Sequence, residues 1–495
     1  MNLASILDIH ARTRPTHPAV IHGSNVLSYA DFARQVRQLA DVLREEGVQP
    51  GNLLGIGLRD SSLHLVALFA AMRIGAVFVP IDWRWTLTET QGLTAHFKVS
   101  HLLCEPDAPR FDGPKRIEVN TELQARMDIA EGQSPVVDTP DLPMLLSLSS
   151  GTTGRPTGPV LTHAQMMART ENQLAALTFN QHDRYMLVTP LYFGGGRAFA
   201  LTHLIIGATL VLYPPPYSSE EFVTAIEHHK VNTTFLVPTL IRRLLSLPDT
   251  ALNSMKGLRL LLSSGAPLHP TERKNIRARL NPGFMEYFAS TEGGGISVLS
   301  PSDQTLHPDS VGRAAFRVEI EIVNDDHQPV LSGDVGMIRY RGPGVANGFF
   351  RDPEKSAEAF RDGWFYPGDL GRMDQAGYLF LLGRQKNVII RGGVNIYPLE
   401  IERVIEGLSD VREAVVLGLS DTAMGEQVWA VVVAEPNVTE ASIRAACAER
   451  LAPYKIPKII TFLDVLPRNS AGKVLIDQVR IHLENHPGRV GTPIV

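Results

Sequence analysis

The amino-acid sequence predicts an α/β protein with a large N-terminal domain of doubly wound sheets, a small β subdomain and a C-terminal α+β domain. Three features of the 495 residues support this fold class. Apolar strands alternate with amphipathic helices through the first part of the chain. From about Ala314 short strands dominate, separated by Gly, Asp and Pro. After Arg384 helices and strands alternate again, over enough residues for a separate domain. We therefore place the domains at 1–384 and 385–495.

The first part of the chain has a regular helix–strand rhythm. Residues 28–46 form an amphipathic helix, with Ser28 as its N-cap and Gly47 as its stop signal. The same patterns predict helices at 63–74, 198–206 and 220–229, and strands at 53–58, 77–81, 185–189, 209–213, 233–237 and 258–262. Because these strands are apolar on both faces, we expect parallel sheets covered on both sides.

The later part of the chain is richer in strands. Strands are predicted at 318–323, 336–341 and 378–381, and they would form the β subdomain. In the C-terminal domain the patterns predict strands at 414–419, 428–434 and 458–463, with a helix at 440–451.

Composition excludes several classes of protein. Charged residues make up 20% and hydrophobic residues 44%, which excludes a disordered chain, and the net charge of −5 argues against a general nucleic-acid binder. The two cysteines, Cys104 and Cys447, exclude a disulfide framework. The most apolar stretch, 64–81, contains Arg73 and Gly75, so no membrane insertion is expected. The sequence thus predicts a soluble, cytoplasmic protein.

A glycine- and hydroxyl-rich segment at 147–158 carries the strongest chemical signal. It follows an apolar strand at 144–148 and precedes a helix that Thr162 and Gln165 could open as a capping box. Such glycines let backbone N–H groups approach an anion, and the hydroxyls add neutral donors. No Gly-Lys-Ser/Thr follows, so this is not a Walker A loop. The segment predicts a phosphate-binding loop, with a hydroxyl-rich surface turn as the alternative.

This segment resembles the phosphate loop of the adenylate-forming superfamily, which comprises acyl-CoA synthetases, nonribosomal adenylation domains and luciferases. Further segments resemble the family's motifs in the family's order, at 263–267, 288–292, 363–369, 383–386, 392–400 and 466–473. The chain is most similar to an acyl-CoA synthetase. The resemblance implies ATP, Mg²⁺ and coenzyme A as cofactors and a small carboxylic acid as substrate. It also implies that 1–384 binds acid and ATP, whereas 385–495 is mobile and carries a catalytic lysine.

The resemblance assigns roles to individual residues. Lys473, Thr291 and Glu292 would be catalytic: Lys473 bridges the acid and the α-phosphate, Thr291 contacts the α-phosphate, and Glu292, with Thr152, holds Mg²⁺. Asp369 would bind the ribose hydroxyls, with Arg384 nearby. The full set of predicted nucleotide-binding residues is Ser149, Ser150, Gly151, Thr152, Thr153, Gly154, Ser264, Gly265, Ala266, Phe288, Thr291, Asp369, Arg384 and Lys473.

The same resemblance indicates which residues would bind the acid and the thiol substrate. The predicted acyl pocket comprises Tyr192, Phe193, Gly194, Gly195, Arg197 and Tyr287, with further lining near 235–238. The three glycines at 194–196 leave space for an aryl or medium-length acyl group. Arg197 would either bind a second carboxylate of the substrate or, as is more common for an arginine, pair with an acidic residue at the surface. Gly392 and Gly393 would line the CoA tunnel, and Lys386 would be the hinge between the domains.

Three positions depart from the family pattern. Thr157 stands where the family usually has lysine, Phe193 where it has histidine, and Pro367 where it has threonine. Thr157 removes a cation from the β- and γ-phosphates, so ATP should bind more weakly unless Arg155 or Mg²⁺ compensates. Phe193 bears on the shape of the acyl pocket, and Pro367 should matter little.

The predicted function is an ATP-dependent acid–CoA ligase. The acid would attack the α-phosphorus of ATP to give acyl-AMP and pyrophosphate, and the C-terminal domain would then swivel so that CoA attacks the acyl carbonyl. Two alternatives stay open: a stand-alone adenylation domain that loads a carrier protein, and a degenerate nucleotide-binding relative. The lack of an acidic residue beside Phe193 disfavours an amino-acid activator, and Lys473, Glu292 and Asp369 favour an enzyme.

Overall fold

The structure, a computed structural model, describes residues 1–139, 141–148, 157–266, 268–468 and 474–485. Two parts of the predicted site, Ser149 to Gly154 and Lys473, therefore lie outside the described residues. The described chain has the predicted α/β architecture, with large N-terminal sheets, a β subdomain and a C-terminal α+β domain.

Helices and strands alternate through the N-terminal half. The first elements are α1 (Ala4–Thr13), β1 (Pro18–His22), β2 (Asn25–Ser28), α2 (Tyr29–Glu45), β3 (Leu53–Gly57), α3 (Ser62–Arg73), β4 (Val77–Pro80), α4 (Leu87–Phe97), β5 (His101–Cys104), β6 (Lys115–Glu118), α5 (Thr121–Ile129), β7 (Pro143–Leu146), β8 (Val160–Thr162) and α6 (His163–Leu177). The next are β9 (Arg184–Leu187), α7 (Gly194–Ile205), β10 (Thr209–Leu212), α8 (Ser219–His228), β11 (Thr233–Phe235), α9 (Pro238–Leu245), α10 (Asn253–Lys256), β12 (Leu260–Ser263), α11 (Pro270–Arg279), β13 (Met285–Ser290), β14 (Gly294–Leu299), α12 (Asp303–Leu306) and β15 (Arg313–Ala314).

These strands form two sheets with a buried helix between them. One sheet has the order β6-β5-β3-β4-β7-β8, and the other has the order β15-β14-β13-β12-β11-β9-β10-β1-β2. The inner neighbours are parallel, as predicted, whereas β8, β2, β14 and β15 pair antiparallel at the edges. Helix α3 contacts β3 and β4 of the first sheet and β1 of the second. All but one of its residues are therefore buried, which explains why its sequence is apolar on every side.

The β subdomain and the C-terminal domain follow. The subdomain contains β16 (Glu319–Val323), β17 (Gly336–Arg341), α13 (Pro353–Ala359), β18 (Phe360–Arg361), β19 (Trp364–Phe365), β20 (Asp369–Met373) and β21 (Leu379–Arg384). The C-terminal domain contains β22 (Ile389–Arg391), β23 (Val394–Ile396), α14 (Pro398–Glu406), β24 (Val411–Asp421), β25 (Gly425–Ala434), α15 (Glu440–Arg450), β26 (Ile459–Phe462) and α16 (Ile476–Asn485). The buried apolar residues of this last domain form their own clusters on the two faces of β24 and β25.

Local sequence signals locate most elements to within a few residues. Ser28 caps α2 by accepting a hydrogen bond from the Asp31 amide, as predicted. Thr162 and Gln165 form the predicted capping box at the start of α6. The prediction was wrong at the start of α7, which begins at Gly194 instead of residue 198, because the three glycines form its first turn. Within the described residues, no helix is long and apolar enough to cross a membrane.

Candidate active site

Most of the predicted site residues follow the carboxyl ends of neighbouring parallel strands. Strands β11, β12 and β13 are adjacent and parallel, so Phe235, Ser264 and Thr291 come at or after their ends along one edge of the sheet. Ligands of open α/β sheets bind outside this edge. At the end of β12, Gly265 and Ala266 are exposed, and the φ of +97° at Gly265 favours glycine.

A buried arginine that no sequence motif marks holds the Thr291–Glu292 turn. Arg169, on the helix after the phosphate-loop sequence, donates to the carbonyls of Thr291 at 3.2 Å, Glu292 at 2.7 Å and Gly344 at 2.8 Å. Burial lowers the pKa of Arg169 to about 10, so it stays charged at neutral pH. The turn between β13 and β14 is thereby tied to α6. No local pattern marks this role, because an arginine inside a helix is common.

The two predicted ribose-binding residues lie side by side. Asp369 and Arg384 are register partners on β20 and β21. Arg384 Nε is 2.9 Å from Asp369 Oδ1, and Arg384 Nη1 donates to the carbonyl oxygen of Pro367 at 2.6 Å. The pair lines a cavity of about 210 Å³ between the N-terminal domain and α14.

The segment predicted to line the acyl pocket is shaped by two glycines in the first turn of α7. A Cβ at Gly196 would lie 2.2 Å from the carbonyl oxygen of Thr189 and 2.5 Å from that of Pro190, so only glycine fits there. A Cβ at Gly195 would lie 3.2 Å from the ring of Phe235. Gly195 is thus the position at which a side chain would project towards a buried aromatic ring.

Buried polar groups hold the loop before α7 from two sides. The Leu191 amide donates to Asp60 Oδ1 at 2.9 Å, while the Leu191 and Tyr192 carbonyls accept from Arg197 Nη1 at 3.1 and 3.0 Å. The Tyr192 hydroxyl also contacts Arg84. Burial raises the pKa of Asp60 to about 6.

Among the described residues, Arg197 makes no ion pair with an acid, which was the commoner of the two alternatives left open by the sequence. Its side chain is 3% exposed and bonds to Ser147 Oγ at 3.2 Å as well as to the two carbonyls. Burial lowers the pKa of Arg197 to about 9. Arg197 therefore connects the loop before α7 to the end of the strand that leads into the phosphate-loop sequence.

A cluster of three aromatic side chains lies next to the first turn of α7. Phe199 on α7 packs against Phe235, with ring centroids 5.0 Å apart, and against Tyr287, with centroids 6.1 Å apart. All three side chains are at most 3% exposed. The Tyr287 hydroxyl donates to Asn172 Oδ1 at 2.7 Å, so its polar end is satisfied inside the domain. The neighbouring Phe288, predicted to bind the nucleotide, is only partly buried.

The C-terminal domain docks against this side of the N-terminal domain. His269 Nε2 hydrogen-bonds to the Arg403 carbonyl at 3.1 Å. Glu413 contacts Arg468 and lies 3.8 Å from Arg242 on α9. Arg468 is therefore linked through Glu413 to the N-terminal domain.

The predicted hinge and tunnel residues lie elsewhere on the C-terminal side. Lys386 is exposed in a short turn between β21 and β22. Gly392 and Gly393 form the exposed turn between β22 and β23, with φ values of +57° and +80°. Neither glycine lines the cavity beside Asp369 and Arg384 in this arrangement of the described residues.

The fold and the order of the motifs place the chain in the class of adenylate-forming enzymes. Residues 7–350 match the family described as AMP-binding enzyme, and residues 400–473 match the AMP-binding enzyme C-terminal domain. The chain belongs to this AMP-binding enzyme family.

Individual similar proteins support the same family assignment. An indoleacetate–CoA ligase of Aromatoleum aromaticum is 34% identical over 97% of this chain and 98% of its own length. A feruloyl-CoA synthase of Amycolatopsis sp. is 32% identical over 95% and 96%. ATP-bound MatB of Rhodopseudomonas palustris is 27% identical, covers 98% of this chain and 99% of its own, and superposes with a TM-score of 0.89; apo MatB gives 0.82. The activity is thus ATP-dependent ligation of an acid to CoA, as predicted.

Proposed function

We propose that this chain activates a compact aryl or arylalkyl acid and transfers it to CoA. The observation that carries the proposal is the buried group of Phe199, Phe235 and Tyr287 beside the first turn of α7. An acyl group that enters beside this turn would meet an apolar, aromatic wall, which suits a flat group better than a charged or long flexible one. The two relatives named for indoleacetate and feruloyl-CoA act, by their names, on aromatic acids.

In the proposed first half-reaction, an oxygen of the acid attacks the α-phosphorus of ATP, and pyrophosphate leaves. Lys473, outside the described residues, would bridge the acid and the α-phosphate, and Thr291 would contact that phosphate. Asp369 would accept hydrogen bonds from the ribose hydroxyls, with Arg384 holding its carboxylate. All of these groups act by positioning and charge stabilisation.

Glu292 fits the proposed role of Mg²⁺ ligand. Its backbone carbonyl accepts bonds from Arg169 and Ala346, whereas its carboxylate makes no hydrogen bond or ion pair with another described residue. Carboxylate and phosphate oxygens are the donors that Mg²⁺ prefers. The described residues hold no group of three acidic, histidine or cysteine side chains suited to a metal. We propose that Glu292, with Thr152 of the phosphate-loop sequence, would hold the cation against the nucleotide, where it would neutralise phosphate charge.

In the proposed second half-reaction, the CoA thiol attacks the acyl carbonyl and AMP leaves. The C-terminal domain would rotate about Lys386 and bring Gly392 and Gly393 to the site. The higher TM-score with ATP-bound than with apo MatB supports an arrangement suited to the first half-reaction.

We also propose a cytoplasmic location for the enzyme. ATP and CoA are its co-substrates, and a reducing compartment suits the two buried free thiols of Cys104 and Cys447.

A thioester assay with a panel of acids tests the proposed substrate class. The panel compares aryl, arylalkyl, aliphatic, dicarboxylic and amino acids, with CoA and with a pantetheine-bearing carrier protein as alternative thiols. We expect the highest kcat/KM for an aryl or arylalkyl acid with CoA. A preference for long aliphatic acids would contradict the substrate class, and a preference for the carrier protein would favour the carrier-loading alternative. Absence of pyrophosphate exchange with every acid would favour a non-catalytic nucleotide binder.

A further inference from the structure

A lysine from a distant part of the chain lies beside Thr157, where the family usually has its own lysine. Lys355 Nζ donates a hydrogen bond to Thr157 Oγ1 at 3.1 Å, although the two residues are 198 positions apart. Thr157 is 8% exposed and lies at the end of the phosphate-loop sequence. A positive charge is therefore present at this end of the loop after all.

Backbone contacts fix the segment that carries Lys355. The Phe350 amide donates to the Gly158 carbonyl at 2.9 Å, and Phe349 forms a β-bridge with Pro159. A Cβ at Gly158 would lie 2.6 Å from the Ser147 carbonyl oxygen, so this strand end packs closely. The position of Lys355 relative to Thr157 and Gly158 is consequently set by backbone contacts as well as by its own side-chain hydrogen bond.

The ammonium group of Lys355 forms no ion pair with a described acid. Within the described residues, no carboxylate lies within 4.0 Å of its Nζ. Asp352, three residues earlier, caps α13 by accepting from the backbone amide of Lys355 at 3.1 Å. The ammonium group lies 5.1 Å from the ring centroid of Phe349, which stabilises a cation without cancelling its charge. An ammonium has three N–H donors, so after the bond to Thr157 two remain.

We propose that Lys355 binds the β- and γ-phosphates of ATP, and hence pyrophosphate, in place of the lysine that Thr157 replaces. Lysines act on phosphates as point charges, so the side chain can arrive from another segment if its ammonium reaches the same place. Thr157 is then a positioning residue, because its hydroxyl oxygen holds the Lys355 ammonium. The inference rests on the ATP-dependent activation of the acid.

Binding measurements on the full-length protein with Lys355→Met test this inference. Methionine keeps an unbranched side chain over Phe349 and removes the charge. A hydrogen bond to a charged group accounts for about a ten- to a hundredfold change in affinity. We expect calorimetry to show that loss for ATP and pyrophosphate, with AMP affinity unchanged because AMP lacks both phosphates. Lys256→Met is the matched control, since Lys256 is exposed at the end of α10, and should change none of the three affinities.

A double variant moves the charge back to the family position. Thr157→Lys in the Lys355→Met background should restore most of the ATP affinity. Thr157→Lys alone should bring little gain in ATP affinity, because it places two ammonium groups together. The sequence alone, without the position of Lys355, would instead suggest that this substitution tightens ATP binding. Lys355→Gln keeps a donor for Thr157 and removes only the charge, so it provides the same test if the methionine variant does not fold.

Two results would overturn the inference. An unchanged ATP affinity in both Lys355→Met and Lys355→Gln would show that the charge does not reach the phosphates. An equal loss of ATP and AMP affinity would show that Lys355 only holds the loop in place. Failure of the unaltered protein to bind ATP would instead refute the ATP-dependent function.

Discussion

Replacement of Gly195 by leucine tests whether the first turn of α7 forms a wall of the acyl pocket. A Cβ at this position would lie 3.2 Å from Cε1 and 3.5 Å from Cζ of Phe235, and leucine adds three carbons beyond it. Phe235 is 2% exposed and packs on Phe199, so its ring has little room to retreat. The leucine would therefore take space from the acid. Loss of room for one methylene in an apolar pocket costs about 1–3 kcal/mol, or about 10–200-fold in kcat/KM.

The assay compares kcat/KM for small and bulky acids in Gly195→Leu and in the unaltered enzyme. We expect the ratio of bulky to small acids to fall by at least about tenfold, with the ATP dissociation constant unchanged. Gly92→Leu is a matched control, because Gly92 is exposed on α4 and a Cβ there would meet nothing within 4 Å. An unchanged ranking of acids in Gly195→Leu would place the pocket elsewhere and refute the reasoning.

Three further substitutions probe the proposed catalytic lysine, the proposed hinge and a buried acid. Lys473→Ala should abolish most adenylate formation but spare thioester formation from supplied acyl-adenylate; equal damage to both half-reactions would contradict the swivelling mechanism. Lys386→Pro should slow the thioester step more than adenylation, because proline fixes φ at the hinge, and full thioester activity would remove that assignment. Burial raises the pKa of Glu402 to about 8, so stability should fall as pH rises from about 4.5 to 8. Glu402→Gln keeps the acceptor for the Val416 amide and should show a smaller fall in urea unfolding; identical pH profiles would contradict this.

Local signals explain why the sequence predicted the fold so well. The cap of α2 at Ser28 and the capping box of Thr162 and Gln165 depend on residues three positions apart, and the apolar strands need only their own pattern. The first turn of α7 was missed for a physical reason. Glycine has low helix propensity, but Gly196 is required there because two carbonyl oxygens occupy the place of a side chain.

The contacts that hold the site together were not predictable in this way. Arg169 donates hydrogen bonds to the carbonyls of residues 122 and 123 positions away. Asp60 accepts a hydrogen bond from the backbone amide of a residue 131 positions away. A single sequence contains no pattern that links positions so far apart. Motifs therefore give the proposed site residues, whereas only the structure identifies the residues that hold their backbone in place.

The three departures from the family pattern differ in what they remove. At Pro367 the bond to Arg384 uses a backbone carbonyl, which any residue supplies, so the change should matter little, as we expected. Phe193 is the N-cap of α7 and makes no side-chain hydrogen bond as a cap, so we expect its effect to be on the shape of the proposed acyl pocket. Thr157 is the departure that removes a charge, and it is also the one beside which the fold places Lys355. A lost charge can be replaced from another segment, because an ammonium needs only to reach the phosphates. The consequence of a missing motif residue must therefore be judged from its neighbours in space.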